Sequence, residues 1–242
     1  MGSVAATLWL GLVLLVTFPI GYGLGVLVLV VTIGFDRQRR WVHLFLSVWC
    51  HQWLRCWPWW RVSVSGRGRI PPGPCVLIAN HQSVADIVAL MGLGVSFKFV
   101  AKASLFSVPF VGWIMRQMKY VPLERGRPKS MDSMLRACSE LLAAGDRVLI
   151  FPEGTYASGG RRIPFKRGAF RLAHKAQVPL VPIVLRGTSE LVFEDGPWFA
   201  FKSDLRVEVM EPLAPPPPDV DEGAWVAQVE ALYRTWLAEP PR

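Results

Sequence analysis

The sequence predicts an α/β fold: a layered structure with a central, largely parallel or mixed sheet flanked by helices, preceded by an N-terminal membrane-inserted helical segment. Three observations lead to this prediction. Residues 1–35 contain no Asp, Glu, Lys, Arg or His. From residue 61 onward, short runs of branched apolar residues alternate with segments of helical periodicity. Two of these runs end in polar turns, at residues 80–86 and 152–155, as strands beside a ligand crevice do.

Residues 1–60 are predicted to form membrane-inserted and interfacial helices. A helix of 35 residues would be about 52 Å long against a hydrocarbon core of about 30 Å, so not all of the uncharged stretch can span. Pro19 and the glycines that follow it mark the expected break or kink. One kinked span and a re-entrant hairpin both remain open. In either case the arginines from position 37 onward place the rest of the chain on the cytoplasmic side.

The second part of this region, residues 41–60, holds six tryptophans among Leu, Phe, Arg and His. Such a mixture favours the headgroup layer of a bilayer, so we predict a helix lying on the membrane surface. The alternative is an ordinary amphipathic helix packed on the domain that follows. His43 and His51 lie here without the spacing that would join them to a metal site.

Residues 61–242 are predicted to form one α/β domain. Its predicted strands are 61–65, 75–79, 97–101, 119–123, 147–151, 180–185 and 205–210. Its predicted helices lie near 84–92, 105–117, 130–144, 166–176 and 223–237. The helix at 130–144 is the clearest, because apolar residues mark one face and Gly145 follows as its stop.

The composition favours a membrane over nucleic acid as the partner. Hydrophobic residues make up 52% of the chain, charged residues 19%, and the formal net charge is +9. The basic excess lies in residues 1–128, with 13 Lys/Arg against 3 Asp/Glu, where the arginines alternate with Trp, Leu and Val. No nucleic-acid-binding motif accompanies them. The four cysteines lack Cys-x-x-Cys spacing and are expected to be reduced.

The turn after the run 75–79 carries a candidate catalytic pair, because residues 80–86 read Asn-His-Gln-Ser-Val-Ala-Asp. On one continuous helix His81 and Asp86 would be rotated apart by about 500° and could not meet. They can meet if His81 lies in the turn and Asp86 in the first helical turn. The carboxylate would then orient the imidazole for proton transfer. The alternative is that Asp86 only caps the helix.

No nucleophile accompanies this pair. The chain has no Gly-x-Ser-x-Gly elbow, and Ser83 with Asp86 fits the pattern of a capping box. We therefore expect the attacking group to belong to a substrate.

A second motif, Phe-Pro-Glu-Gly-Thr at residues 151–155, makes the catalytic interpretation stronger. Together with Asn-His-x-x-x-x-Asp, it resembles the paired blocks of the glycerolipid acyltransferase family, of the lysophosphatidate acyltransferase type. Similar middle and last blocks occur at 99–102, 108–113, 121–126 and 181–183. The resemblance covers about residues 70–190, with the blocks in the family's order.

The resemblance implies a membrane-bound O-acyltransferase. It would move a fatty acyl group from a thioester, acyl-CoA or acyl-acyl-carrier-protein, to the free hydroxyl of a lysolipid, with lysophosphatidate as the leading acceptor. His81 would be the general base and Asp86 its orienting carboxylate. No metal and no prosthetic group is expected. The expected location is the bacterial inner membrane, with the catalytic domain facing the cytoplasm.

The same resemblance assigns the acceptor site. Glu153, Gly154 and Thr155 match the family's acceptor-binding block, where a glycine lets the backbone approach a ligand. Lys102 and Arg125 match basic positions of the middle blocks and would hold a phosphate.

One residue departs from the family pattern: Tyr156 stands where the family usually has arginine. Loss of this guanidinium leaves two acceptors open. Lysophosphatidate remains the first, with compensating contacts from Arg161, Arg162, Lys166 or Arg167. The second is another lysolipid, such as a lyso-ornithine lipid. A non-catalytic lipid-binding or membrane-remodelling protein is the alternative from another functional class, although the intact pair His81 and Asp86 favours an enzyme.

Overall fold

A seven-stranded sheet forms the centre of the protein, and the computed structural model describes residues 2–155, 163–192, 198–217 and 220–239. The strands are β1 (Gly2–Ser3), β2 (Trp60–Ser65), β3 (Val76–Ala79), β4 (Lys98–Lys102), β5 (Val121–Leu123), β6 (Val148–Ile150), β7 (Leu180–Arg186), β8 (Phe199–Ala200) and β9 (Ser203–Val209). The helices are α1 (Val4–Thr32), α2 (Arg40–Trp53), α3 (Ala85–Met91), α4 (Val111–Gln117), α5 (Pro128–Ala143), α6 (Gly168–Ala176), α7 (Thr188–Leu191) and α8 (Glu222–Ala238). Strands and helices alternate as predicted.

The strand order in the main sheet is β2-β9-β7-β3-β6-β4-β5. Strands β7, β3, β6, β4 and β5 run parallel, and β9 is antiparallel to β7, so the predicted mixed sheet is confirmed. Because parallel strands end at the same edge, the turns that follow β3, β4, β5, β6 and β7 share the carboxyl edge of the sheet.

Helices cover both faces of this sheet. Side chains of a strand alternate between faces, and in β3 Leu77 packs in the cluster that includes α3, whereas Ile78 packs with α5, α6 and α8. Both side chains are fully buried. A strand buried on both faces is typical of a parallel sheet, and it explains why the run 75–79 is apolar throughout.

Helix α1 is continuous from Val4 to Thr32, so the break predicted at Pro19 is not present. The helix is about 43 Å long at 1.5 Å per residue, and it is long and apolar enough to cross a membrane. Packing against neighbouring helices allows a helix to continue through proline. Here the ring of Trp49 from α2 lies against Gly21, two residues beyond Pro19.

Both ends of α1 are attached to the domain. At its start, β1 pairs with β8, and the Trp9 indole donates to the Cys56 carbonyl at 3.0 Å. Just beyond its end, the Arg40 guanidinium donates to the Gly145 carbonyl at 2.9 Å, and the Lys98 ammonium donates to the Gln38 carbonyl. The boundary predicted at residue 60 therefore lies within a well-connected structure, and as a domain boundary it stays a prediction.

Helix α2 packs against both α1 and the domain, and its predicted position on the membrane surface stays a prediction. It ends at Trp53 rather than near residue 60, and Pro58 follows shortly afterwards. The Trp53 indole donates to Thr17 of α1 at 3.1 Å, while the Ser47 hydroxyl lies 3.2 Å from the Met91 sulfur of α3. Helix α2 thus links α1 to the helix that carries Asp86.

The helix predicted at 105–117 is interrupted. A 3₁₀ turn occupies Ala103–Ser107, and α4 begins only at Val111. Phe110 between them has a φ of 60°, which a continuous helix does not allow. Gly112 packs so closely on the Phe106 backbone that a Cβ would lie 2.0 Å from the Phe106 carbonyl oxygen. Tertiary packing therefore overrides the helical pattern of this segment.

Candidate active site

The predicted pair forms at the carboxyl end of β3. His81 Nδ1 lies 2.7 Å from Asp86 Oδ2. His81 is in the turn and Asp86 is in the first turn of α3, which is the arrangement that the spacing predicted. The Asp86 side chain is fully buried, whereas the His81 side chain retains 11% exposure. The carboxylate is thus shielded from water, whereas the imidazole remains partly accessible at the carboxyl edge of the sheet.

One carboxylate oxygen of Asp86 accepts most of the hydrogen bonds that hold the turn at residues 80–86. Besides the imidazole, Oδ2 accepts from the backbone N–H groups of Gln82 at 2.6 Å and Ser83 at 2.9 Å. The Ser83 hydroxyl in turn accepts from the Ala85 N–H at 3.1 Å and donates to the Thr188 carbonyl at 2.9 Å. Asp86 therefore holds the backbone of the turn as well as the imidazole, and the Ser83 hydroxyl is engaged in the same turn; the helix itself begins after Val84 without a side-chain cap.

Asn80 joins this turn to the neighbouring strand β7. Its amide donates to the Leu185 carbonyl at 2.9 Å, and its amide oxygen accepts from the Leu185 N–H at 2.7 Å. One turn further, the Thr188 hydroxyl donates to the Gln82 amide oxygen at 3.0 Å. The sequence motif includes Asn80 but did not indicate its role, and Thr188 lies outside every motif. Their contacts with the His81 turn could be found only from the fold.

The turn after β6 packs directly on His81. The Phe151 ring stacks on the imidazole with centroids 4.0 Å apart and planes inclined by 16°. Glu153 is buried, and its Oε1 accepts from the His81 backbone N–H at 3.4 Å. Burial raises the pKa of Glu153 to about 7, against the opposing effect of the His81 hydrogen bond; the nearby Asp86 raises it further. The Glu153 side chain therefore supports the His81 turn from within.

Gly154 is held in the left-handed region with a φ of +72°. A Cβ at this position would lie 2.6 Å from the Lys166 ammonium nitrogen, so glycine makes room for that side chain. The Lys166 backbone N–H also donates to the Pro152 carbonyl at 2.8 Å. Thr155 follows as a half-buried residue. Lys166 thus stands beside the predicted acceptor-binding block.

Lys102 and Arg125 lie at the same edge, after β4 and β5, and both are exposed. With strands about 4.8 Å apart, they are roughly 10 Å and 14 Å across the sheet from β3. Neither side chain has a hydrogen bond or an ion pair to another described residue. Their charges are exposed at the edge of the sheet that carries His81.

Three residues considered in the sequence for contact with the acceptor, Tyr156, Arg161 and Arg162, lie outside the described residues. Arg167 is exposed at the start of α6. Among residues 2–155, 163–192, 198–217 and 220–239, no group of three or more His, Cys, Asp or Glu side chains is arranged to hold a metal ion.

Comparison with known proteins places this geometry among enzymes of one kind. The family model described as Acyltransferase matches residues 61–186. A chloroplastic 1-acyl-sn-glycerol-3-phosphate acyltransferase from Brassica napus is 40% identical over 182 residues, which is 74% of this chain and 52% of that protein. The enzyme of the same name from Helicobacter pylori is 31% identical over 179 residues, covering 73% of this chain and 74% of the relative.

The fold agrees with these similarities. The crystal structure of the 1-acyl-sn-glycerophosphate acyltransferase PlsC from Thermotoga maritima superposes with a TM-score of 0.74 at 25% identity, covering 98% of this chain and 97% of that one. The chain spans about half the length of the plant and algal relatives that it matches, with 52%, 51% and 48% coverage.

Proposed function

Because this chain belongs to the glycerolipid acyltransferase family, we propose that it transfers a fatty acyl group from an acyl thioester to the free hydroxyl of lysophosphatidate, giving phosphatidate. The observation that carries the proposal is the 2.7 Å contact between His81 and Asp86 at the carboxyl edge of the sheet. A base held by a buried carboxylate is suited to activating a hydroxyl. The relatives from Brassica napus and Helicobacter pylori bear the corresponding name.

The proposed reaction uses His81 as the general base. The imidazole takes the proton of the acceptor hydroxyl as its oxygen attacks the thioester carbonyl carbon. The new C–O ester bond forms, the C–S bond breaks, and the proton passes to the departing thiolate. Asp86 keeps the imidazole in place and stabilises its protonated form. Acyl-CoA and acyl-acyl-carrier-protein present the same thioester, so either serves as donor in this scheme, and no further cofactor takes part.

The acceptor is proposed to lie along the carboxyl edge. Gly154 and Thr155, beside Lys166, would contact its glycerol part, and Glu153 would contribute by supporting the His81 turn. Lys102 and Arg125 would hold the phosphate, since their exposed charges are not neutralised by any described residue. The position of the basic residues on the same sheet edge as His81 supports this assignment.

A lysolipid panel tests the proposed acceptor. Purified protein is incubated with one labelled acyl thioester and lysophosphatidate, a lyso-ornithine lipid or a neutral lysolipid, and products are identified by mass spectrometry. We expect phosphatidate from lysophosphatidate and release of one thiol per ester. Acylation of the lyso-ornithine lipid alone would reassign the acceptor, as Tyr156 in the arginine position allows. Failure of every lysolipid in the panel to give an ester and to promote thiol release would contradict acyl transfer and favour a non-catalytic lipid-binding role.

A variant of Arg125 tests the proposed contact with the acceptor phosphate. Arg125→Ala should raise the KM for lysophosphatidate by about 10- to 150-fold, because a charge-assisted hydrogen bond contributes about 1.5–3 kcal/mol. The KM for the thioester should change much less. Lys175→Ala is the matched control: it removes one exposed positive charge from α6, near the opposite edge of the sheet, and should leave both constants unchanged. Equal effects of the two variants would dismiss Arg125 as a phosphate ligand.

Helix α1 suggests association with a membrane, and we propose that the catalytic domain faces the cytoplasm of a bacterial inner membrane. The arginines that follow α1 support this orientation. Full-length protein should stay with membranes through high-salt and carbonate washing, because α1 exposes large apolar side chains over most of its length. A protease should remove a C-terminal tag from inside-out vesicles and spare it in right-side-out vesicles. Quantitative release by carbonate, or the reverse protease pattern, would contradict the proposal.

A further inference from the structure

Tyr233 of α8 is a buried residue that no sequence motif marks. It lies beyond the family match at residues 61–186. Its side chain is one of the largest fully buried ones in the protein, with 2% exposure of the residue. A buried phenol hydroxyl needs hydrogen-bond partners, so its contacts show what the residue is used for.

The Tyr233 hydroxyl bridges the two strands that carry the His81 turn. It accepts from the Ile183 N–H of β7 at 3.0 Å and donates to the Ile78 carbonyl of β3 at 2.8 Å, with the Ile183 carbonyl at 3.0 Å as a second acceptor. In the register of these strands Ile78 pairs with Pro182, so the Ile183 N–H is the backbone donor beside the Ile78 carbonyl. The Tyr233 hydroxyl bridges this donor and this acceptor, and it therefore forms one step of the contact between β3 and β7.

This bridge lies directly beneath the active-site turn. Ile78 precedes His81 by three residues, and Asn80 makes the next side-chain connection between β3 and β7. Glu153, which accepts from the His81 N–H, is close enough to act electrostatically on the Tyr233 hydroxyl. The Tyr233 hydroxyl thus bonds to the strand that leads into His81.

Helix α8 also holds the segment beside the second motif. Glu230 accepts from the Phe165 N–H at 3.2 Å, and the Phe165 ring packs edge-on against Tyr233 with centroids 5.2 Å apart. The next residue, Lys166, is the one that bonds to Pro152 and lies against Gly154. Helix α8 therefore contacts both the strand before the His81 turn and the segment beside the turn at residues 151–155, and Tyr233 takes part in both contacts.

We infer that Tyr233 is a positioning residue, whose hydroxyl holds β3 and β7 in the alignment that places His81 against its substrate. The inference rests on the proposed acyl transfer. It assigns a role in the reaction to the C-terminal helix, outside the family's motif blocks. Tyr233 itself touches no substrate in this assignment; it acts through the backbone of Ile78 and Ile183.

Tyr233→Phe tests the inference, because it removes only the hydroxyl and keeps the ring in the core. We expect kcat to fall about 10- to 100-fold with the acceptor KM changed less than twofold, since small misplacements of a catalytic group have effects of this size. Hydrogen exchange of the peptide containing residues 76–86 should be faster than in the wild type. The exchange measurement does not depend on activity, so it remains decisive if the wild type fails to transfer acyl groups.

Trp225→Phe is the matched control. Trp225 is a buried aromatic of the same helix whose ring packs edge-on against Phe170 and His174 of α6. Among the described residues its side chain makes no hydrogen bond to β3 or β7, in contrast to Tyr233. It should lower the melting temperature with little change in kcat and normal exchange at 76–86. Phe165→Leu, which keeps the Tyr233 hydroxyl but loosens its ring, should give an intermediate loss of kcat if Tyr233→Phe does not fold. Unchanged kcat and exchange in Tyr233→Phe, or equal losses of kcat in the Trp225 variant, would overturn the inference.

Discussion

His81→Ala is expected to lower kcat for acyl transfer by about 10²–10⁴-fold, the usual contribution of a positioned general base. The protein should still fold, since the turn keeps its backbone hydrogen bonds to Asp86 and to Glu153. The lost stacking on Phe151 costs about 0.5–1.5 kcal/mol and the lost hydrogen bond to the buried Asp86 about 1.5–3 kcal/mol, so a moderate decrease in melting temperature should accompany the loss. The measurement is the initial rate of labelled phosphatidate formation at saturating substrates.

The control for this variant is His174→Ala. His174 is on α6, where its ring nitrogen lies 3.1 Å from the Pro217 carbonyl, away from the carboxyl-edge turns. Removing this imidazole should leave kcat within about twofold of the wild type and lower stability by about 1 kcal/mol at most. Folded His81→Ala protein with near-normal transfer would sink the mechanism, whatever lipid is the acceptor.

Asp86→Asn should also lower kcat severely, by up to about 10⁴-fold, which is the loss for the equivalent change in a Ser-His-Asp triad. Three donors converge on Oδ2, so an amide NH₂ there would oppose all of them, and an amide oxygen there would lack the charge. The other oxygen, Oδ1, is buried without a hydrogen-bond partner among the described residues. An NH₂ group in that position would also be unsatisfied, at a cost of about 1–3 kcal/mol.

Measuring both kcat and the melting temperature of Asp86→Asn separates the loss of catalysis from the loss of stability. Asp132→Asn, an exposed substitution on α5, is the isosteric control and should alter neither quantity. If Asp86→Asn lowered the melting temperature but kept kcat within threefold, Asp86 would be a helix cap only. That result would restore the simpler interpretation of the motif.

The sheet was predictable because each strand is a short apolar run between polar or Gly/Pro-containing turns. All seven predicted strands are present within a few residues of their predicted bounds. The strands β1 and β8 have two residues each and α7 has four, which is too short for periodicity to reveal. The interruption near Phe110 escaped prediction for another reason: it depends on the packing of Gly112 against Phe106.

The part of the site that could be predicted is the part whose residues are close together in the sequence. The five-residue spacing of His81 and Asp86 dictated a turn-to-helix geometry, and the structure has it. The direction of the Glu153 side chain depends on where β6 lies relative to β3, which one motif does not specify. Tyr233 is 152 residues from His81 in sequence, and only the docking of α8 brings its hydroxyl to Ile78. The contact of Tyr233 with Ile78 therefore cannot be predicted from residue patterns in the sequence.

The attachment of α1 at both ends has a consequence for how the protein meets its lipids. Strand pairing at Gly2 and Ser3 and the contacts of Gln38 and Arg40 fix both ends of this helix to other described parts of the chain. With α1 inserted in a bilayer as proposed, these contacts would keep the catalytic turns at one height and tilt above the membrane surface. A lipid molecule would then reach His81 by its own motion, by rising or tilting out of its leaflet.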